Sequence, residues 1–146
     1  MTPTGIARRY YRYFNERRFD EAGEFVHPEA TFYYVPTKQR LMGRAGYRAL
    51  VAAWLIAFED GEVEITSLLE IDERTVQVDF IGRGTHTGDL ALGEDFSIPA
   101  TGAQADLPFR DTLTFRSGFI VGSRLEFDAE ELRARLTAPE RAASGV

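Results

Sequence analysis

Ile6, Tyr10, Tyr13 and Phe14 recur at i, i+4, i+7 and i+8, the spacing of one helical face. Arg8, Arg9, Arg12, Arg17 and Arg18 fill the other side. Thr2 and Pro3 ahead of them read as an N-cap and a proline at the first helical position. A short second helix is expected over 20–26, stopped at His27-Pro28, because the residue before a proline is pushed out of the α region. The β-branched and aromatic run ATFYYV, 30–35, predicts a short strand. Gly43 opens a third helix, in which Tyr47, Leu50, Val51, Trp54 and Phe58 make one apolar stripe, and Asp60-Gly61 ends it.

From Glu62 the period changes from 3.6 to 2. Val63 and Ile65 alternate in one strand, and Val76, Val78 and Phe80 in the next, with a hairpin loop expected at Asp72-Glu73-Arg74. Gly82 and Gly84 interrupt that second strand and predict a bulge or sharp bend. Residues 89–102 read as a long loop. Leu107, Phe109, Asp111, Leu113 and Phe115 then alternate, and after Ser117-Gly118 so do Phe119, Val121, Ser123, Leu125 and Phe127. Asp128 followed by Glu131 resembles a capping box and starts a last helix with Leu132 and Leu136 as its stripe. Helices and one strand followed by a run of long antiparallel strands is an α+β order, not βαβ. The strands should curl, and the helices should close their open side around one apolar pocket.

Composition narrows the function. A chain of 146 residues fits one domain, expected over 1–136, with a polar tail over 137–146. Eleven Phe, six Tyr and one Trp call for a large core or a lined cavity. A net charge of −6 disfavours nucleic acid as a partner, and no apolar run approaches the roughly 20 residues of a membrane span. The absence of cysteine removes disulfides and thiolate chemistry and fits a cytoplasmic location. Two histidines without H-x-x-x-H spacing argue against a metal site. Gly82, Gly84 and Gly88 miss the dinucleotide-binding spacing and there is no G-x-S-x-G elbow, so no cofactor is expected.

The segment Gly82-Arg83-Gly84-Thr85-His86-Thr87-Gly88, followed by Ile98-Pro99-Ala100-Thr101-Gly102, resembles the SnoaL-like polyketide cyclases of the nuclear transport factor 2-like superfamily. The turns Phe25-Val26-His27-Pro28-Glu29-Ala30 and Ser117-Gly118-Phe119-Ile120, and the closing Phe127-Asp128, are similar to that family too. The resemblance implies a cone-shaped α+β fold with a curved antiparallel sheet, a pocket for a hydrophobic carbonyl compound, and cofactor-independent cyclase or isomerase chemistry. It also implies a homodimer through the sheet's outer face, where Arg110, Thr112, Thr114 and Arg124 fall. The chain departs from the family at two points. The family's acid late in the last strand falls on Leu125, and a family histidine in the preceding strand falls on Asp111.

Asp111 stands on a face that otherwise reads Leu107, Phe109, Leu113 and Phe115, where a carboxylate is costly unless paired or functional. Desolvation would raise its pKa and suit it to proton transfer; the plain alternative is a structural hydrogen bond. His86 shares the inward parity of Val78 and Phe80 and is the second catalytic candidate, as an acid/base partner of Asp111. Its alternative is to pin the loop that follows. Tyr33, Tyr34, Trp54, Phe109, Ser123 and Leu125 are the expected ligand-binding residues. A tyrosine there would donate to a developing oxyanion, Trp54 would equally serve as packing, and Ser123 would hydrogen-bond a ligand or simply leave room. Arg124 and Glu126 fall on the opposite face. The inward set, with Val78 and Phe80, is too apolar for phosphorylated metabolites and suits hydrophobic ring compounds. Two functions remain open: an acid/base enzyme of the family kind, and a non-catalytic binder of small hydrophobic molecules.

Overall fold

The structure, a computed structural model, describes residues 1–137. Two N-terminal helices, α1 (Pro3–Asn15) and α2 (Phe19–Gly23), lead into β1 (Val26–Tyr34) and β2 (Arg40–Met42), then α3 (Gly43–Ala57). The long strands β3 (Glu62–Asp72) and β4 (Thr75–Thr85) follow, and a two-stranded hairpin, β5 (Leu90–Ala91) and β6 (Ser97–Ile98), leads to β7 (Gln104–Arg116), β8 (Phe119–Glu126) and α4 (Ala129–Thr137). No helix of the described chain is long and apolar enough to cross a membrane. The expected tail begins one residue early, because Thr137 still ends α4; from 138 on it lies outside the described residues.

The helix ends form as the sequence dictates. The Thr2 hydroxyl accepts the Gly5 N–H at 3.0 Å with Pro3 at the first helical position, and Asp128 accepts the Glu131 N–H at 2.9 Å. The stripe of α1 is rotated from the expected one. Ile6, Ala7, Tyr10 and Tyr11 are its buried residues, while Tyr13 and Phe14 are only half-buried.

One six-stranded sheet, in the order β2-β1-β8-β7-β4-β3, carries the fold. It is mixed, not wholly antiparallel as expected, because β1 runs parallel to β8 (Phe32 opposite Ser123, Tyr34 opposite Leu125). The alternation of polar and apolar residues sets which face a strand buries but not the direction of its neighbour, so the sequence pattern could not carry this pairing. β1 also starts four residues earlier than expected, at Val26. Its ladder to β8 breaks between Val26 and Thr31, and Pro28, which has no N–H to donate, sits within that break.

Gly82 and Gly84 put no bulge into β4. Its pairing with β7 runs without a shift from Thr75 opposite Thr114 to Thr85 opposite Gln104. These glycines make room instead: a Cβ on Gly82 would stand 2.9 Å from Cε1 of Phe109, and one on Gly84 2.9 Å from Cβ of Phe58. The bulges fall on β3, between Ile65 and Ser67, and at Thr114/Phe115 of β7 against β8. Ser117 and Gly118, both at positive φ (53° and 82°), make the tight turn between β7 and β8. The helices α1, α3 and α4 contact one face of the sheet, where Phe32, Tyr34, Val78, Phe80, Leu113 and Leu125 are buried.

Candidate functional site

A cavity of about 120 Å³ lies between that face and the helices. Its walls come from α1 (Tyr10, Tyr11, Phe14), α3 (Tyr47, Val51, Trp54) and the inward positions of β1, β4, β7 and β8. Ten of its 25 lining residues are aromatic. Phe109 stacks on Phe80 with ring centroids 5.2 Å apart and meets Trp54 edge-on at 5.7 Å. Glu62 and Arg83 are the exposed lining residues and mark the mouth. Arg83 is held there by Glu64 at 2.8 Å and Asp106 at 3.4 Å.

Asp111 is the one carboxylate in the interior wall. It is 3 % exposed, and the period-two pattern of β7 puts it on the cavity side. Its two oxygens divide their partners: the Tyr11 hydroxyl donates to Oδ2 and the Ser123 hydroxyl donates to Oδ1 at 2.7 Å. Burial pushes its pKa up to about 6, although both hydroxyls work in the other direction by stabilising the anion. Burial and the nearby Asp111 charge in turn hold the Tyr11 hydroxyl well above its ordinary value. Among the described residues no arginine or lysine acts on Asp111.

Tyr34 and Trp54 form the second polar pair. The indole N–H donates to the Tyr34 hydroxyl at 2.7 Å, so the hydroxyl's own proton stays free for a ligand acceptor. Burial raises the Tyr34 pKa, as it does those of Tyr10 and Tyr47. The hydroxyls of Tyr10 and Tyr47 have no hydrogen-bond partner among the described residues, and both side chains line the cavity. Among the described residues no cluster of three or more His, Asp or Glu is placed to hold a metal ion.

The structure gathers Asp111, Tyr34, Trp54, Phe109, Ser123 and Leu125 around this one cavity. It does not bring Tyr33 there. Tyr33 is one residue out of phase with Tyr34, so it points to the outer face, where it lies opposite Arg40 and Arg124. Both guanidinium groups sit over its ring, at 4.7 and 5.9 Å from the centroid. His86 is fully buried but does not line the cavity and does not bond Asp111. Its Nδ1 lies 3.0 Å from the Thr101 hydroxyl and accepts the Thr101 N–H at 3.3 Å, while its own N–H and C=O bond Ala103 and Gly102. Its ring therefore ties the two ends of the 86–102 segment together, and burial lowers its pKa and keeps it neutral.

Sequence reasoning missed Tyr11, the donor closest to the chemistry. The signal was present: Ala7, Tyr10, Tyr11 and Phe14 fall at i, i+3, i+4 and i+7, a helical face as regular as the one centred on Tyr13.

The sequence profile of the SnoaL-like polyketide cyclases matches residues 4–136. The chain belongs to that family. No curated protein matches it. Among solved structures, a candidate SnoaL-like polyketide cyclase from Jannaschia sp. CCS1 is similar over 95 % of this chain and 97 % of its own, with a TM-score of 0.80 and 18 % identity. TsrD from Streptomyces laurentii is similar over 92 % and 93 %, with a TM-score of 0.76 and 22 % identity. A protein of ketosteroid isomerase-like fold from Catenulispora acidiphila, solved in complex with trimethylamine, is similar over 97 % and 98 %, with a TM-score of 0.74 and 15 % identity. At these identities the likeness is one of fold. In the SnoaL-like frame, Leu125 and Asp111 are direct cross-strand partners on the same face. The carboxylate therefore stands one strand away from where the family's acid was expected.

Proposed function

We propose that this SnoaL-like protein is a cofactor-independent acid/base enzyme of cyclase or isomerase type acting on a small hydrophobic carbonyl compound. The observation that carries the reading is Asp111, a buried cavity-wall carboxyl with a pKa near 6. Near neutral pH it is mostly ionised, yet basic enough to take a proton from carbon beside a carbonyl. Each of its oxygens accepts one hydrogen bond and retains a lone pair for that proton. Tyr34, its oxygen held by the Trp54 N–H, donates to the enolate oxygen that forms. In an isomerisation the proton returns from Asp111 to a different carbon. In a cyclisation the enolate carbon bonds to a second carbonyl carbon, and the alkoxide takes the proton back. Both routes balance without an oxidant or metal. Ser123 and Tyr11 hold the carboxylate's orientation throughout.

Incubation with small aryl and cyclic ketones in D2O, followed by proton NMR, tests the first step. The expected result is catalysed α-proton exchange that falls by about 10²–10⁴-fold in Asp111→Asn. A second reading, a non-catalytic binder, draws on the fact that both Asp111 oxygens already accept a hydrogen bond. Ketones that bind wild type with no exchange above the buffer rate would favour it.

A further inference from the structure

Among the described residues the buried Asp111 charge has no counter-ion. Its direct partners are the neutral hydroxyls of Tyr11 and Ser123. The groups facing it are tyrosines from α1 (Tyr10, Tyr11) and β1 (Tyr34), and uncharged side chains from β4 (Val78, Phe80) and β8 (Ser123, Leu125). An interior anion normally pairs with a cation, and none of the described residues supplies one. The space in front of it is bounded by aromatic faces, which attract cations through the negative potential of the ring. The mouth adds to this. Glu62, Glu64 and Asp106 surround Arg83, and the Asp60 carboxylate lies 3.2 Å from where a Cβ on Gly84 would stand; the other nearby cations are Arg17, which acts on Asp60, and Arg135, which donates to the Asp106 carbonyl. An acidic rim raises the local concentration of cations and lowers that of anions. The volume, about 120 Å³, is close to the roughly 150 Å³ that accommodates one benzene. A tetraalkylammonium head of four small groups is of that size.

From this combination we propose that the cavity is a binding site for a small organic ammonium ion, with Asp111 as its counter-ion and the rings of Trp54, Tyr34, Tyr47 and Phe109 as its cage. The inference does not need Asp111 to move a proton, so it stands or falls separately from the enzyme reading. The carbonyl assay uses neutral ketones and reads exchange, whereas this one reads binding of a cation against its neutral isostere.

Choline and 3,3-dimethyl-1-butanol differ only in nitrogen against carbon at the branched centre, and with it in charge. Trp54 is the sole tryptophan of the chain and lines the cavity, so its fluorescence reports occupancy. Titrations of the full chain at pH 8, at constant ionic strength, should show choline binding at least about tenfold tighter than the alcohol. At pH 5, where the carboxyl takes up its proton, that preference should shrink by about tenfold. Asp111→Asn should lose the pH dependence and most of the preference, keeping only what the aromatic faces and the rim supply. Equal affinities in wild type at pH 8, no binding of choline at millimolar concentration, or a preference undiminished in Asp111→Asn would each overturn the proposal. If the variant does not fold, the pH dependence in wild type decides alone.

Discussion

A carboxyl with a pKa near 6 in the fold and 3.8 when free is a statement about stability as well as chemistry. Between pH 4 and 6 the unfolded chain has lost this proton while the native protein keeps it. Native Asp111 therefore binds more protons, and its contribution to stability falls as pH rises through that window. Above about pH 7 the loss is complete and amounts to about 3 kcal/mol, the two values differing by about two pH units at 1.36 kcal/mol each. The Asp111→Asn variant keeps the shape and removes the titration. Its amide makes different hydrogen bonds with Tyr11 and Ser123, which adds an offset of about 1 kcal/mol in either direction. That offset does not depend on pH, so the slope is the test. Urea unfolding of both proteins from pH 4 to pH 8 should show the variant gaining on wild type by about 3 kcal/mol across the range, or roughly 10 °C in Tm. Carboxylates held low by partners, such as Asp79 beside Arg110 and Asp60 beside Thr85, lose stability as pH falls, but they do so in both proteins and cancel. Parallel curves for the two proteins would refute the reasoning: Asp111 would then be as acidic in the fold as in water.

Other outcomes follow from the same geometry. Tyr34→Phe keeps the ring but removes the oxygen that Trp54 bonds; carbonyl turnover should drop by about 10²-fold while urea unfolding shifts by only about 1 kcal/mol. Gly88→Ala puts a Cβ 2.0 Å from the Ile56 carbonyl oxygen, a backbone atom that cannot yield cheaply, and should cost at least about 2 kcal/mol in the same measurement. The outer sheet face, with Arg110, Thr114 and Arg124 exposed, is proposed as the seat of a homodimer. Sedimentation at micromolar concentration should give twice 16.4 kDa, and a single species at 16.4 kDa would contradict it.

Much of the fold was legible because its long elements obey one period each. Helix α3 and strands β4 and β7 bury the stripes their sequences display, and Asp111 was found because it breaks such a stripe; β8 keeps its expected phase at Ser123 and Leu125 but loses it before the bulge, where Ile120 is buried and Phe119 exposed. What was not legible depends on partners. Tyr33 and Tyr34 are chemically alike, and only the register of β1 decides which one faces the cavity. The isolated parity of His86 was correct about burial and silent about destination, since the 86–102 segment folds back on it and supplies Thr101. The strands β5 and β6, two residues each in a run rich in Asp, Glu and Gly, carry too little pattern to read. Gly82 and Gly84 were read as backbone devices, but the need they meet is the space occupied by two phenyl rings.

The parallel pairing of β1 with β8 also bears on how the chain reaches this state. The two strands are separated by α3 and six other strands, so the contact that joins them closes a very long loop and raises the contact order. On a ribosome, β1 and β2 emerge early as a hairpin, and the free edge of β1 waits for nearly the whole remaining chain before β8 covers it. Until then the β7–β4–β3 meander is free to fold on its own, while the aromatic side chains of β1 stay exposed to solvent and to other nascent chains. Termination between Arg116 and Phe119 therefore does more than shorten the protein. It leaves two sheet fragments, each with the open edge that β8 would have covered, a configuration suited to exchange of strands between copies and to aggregation.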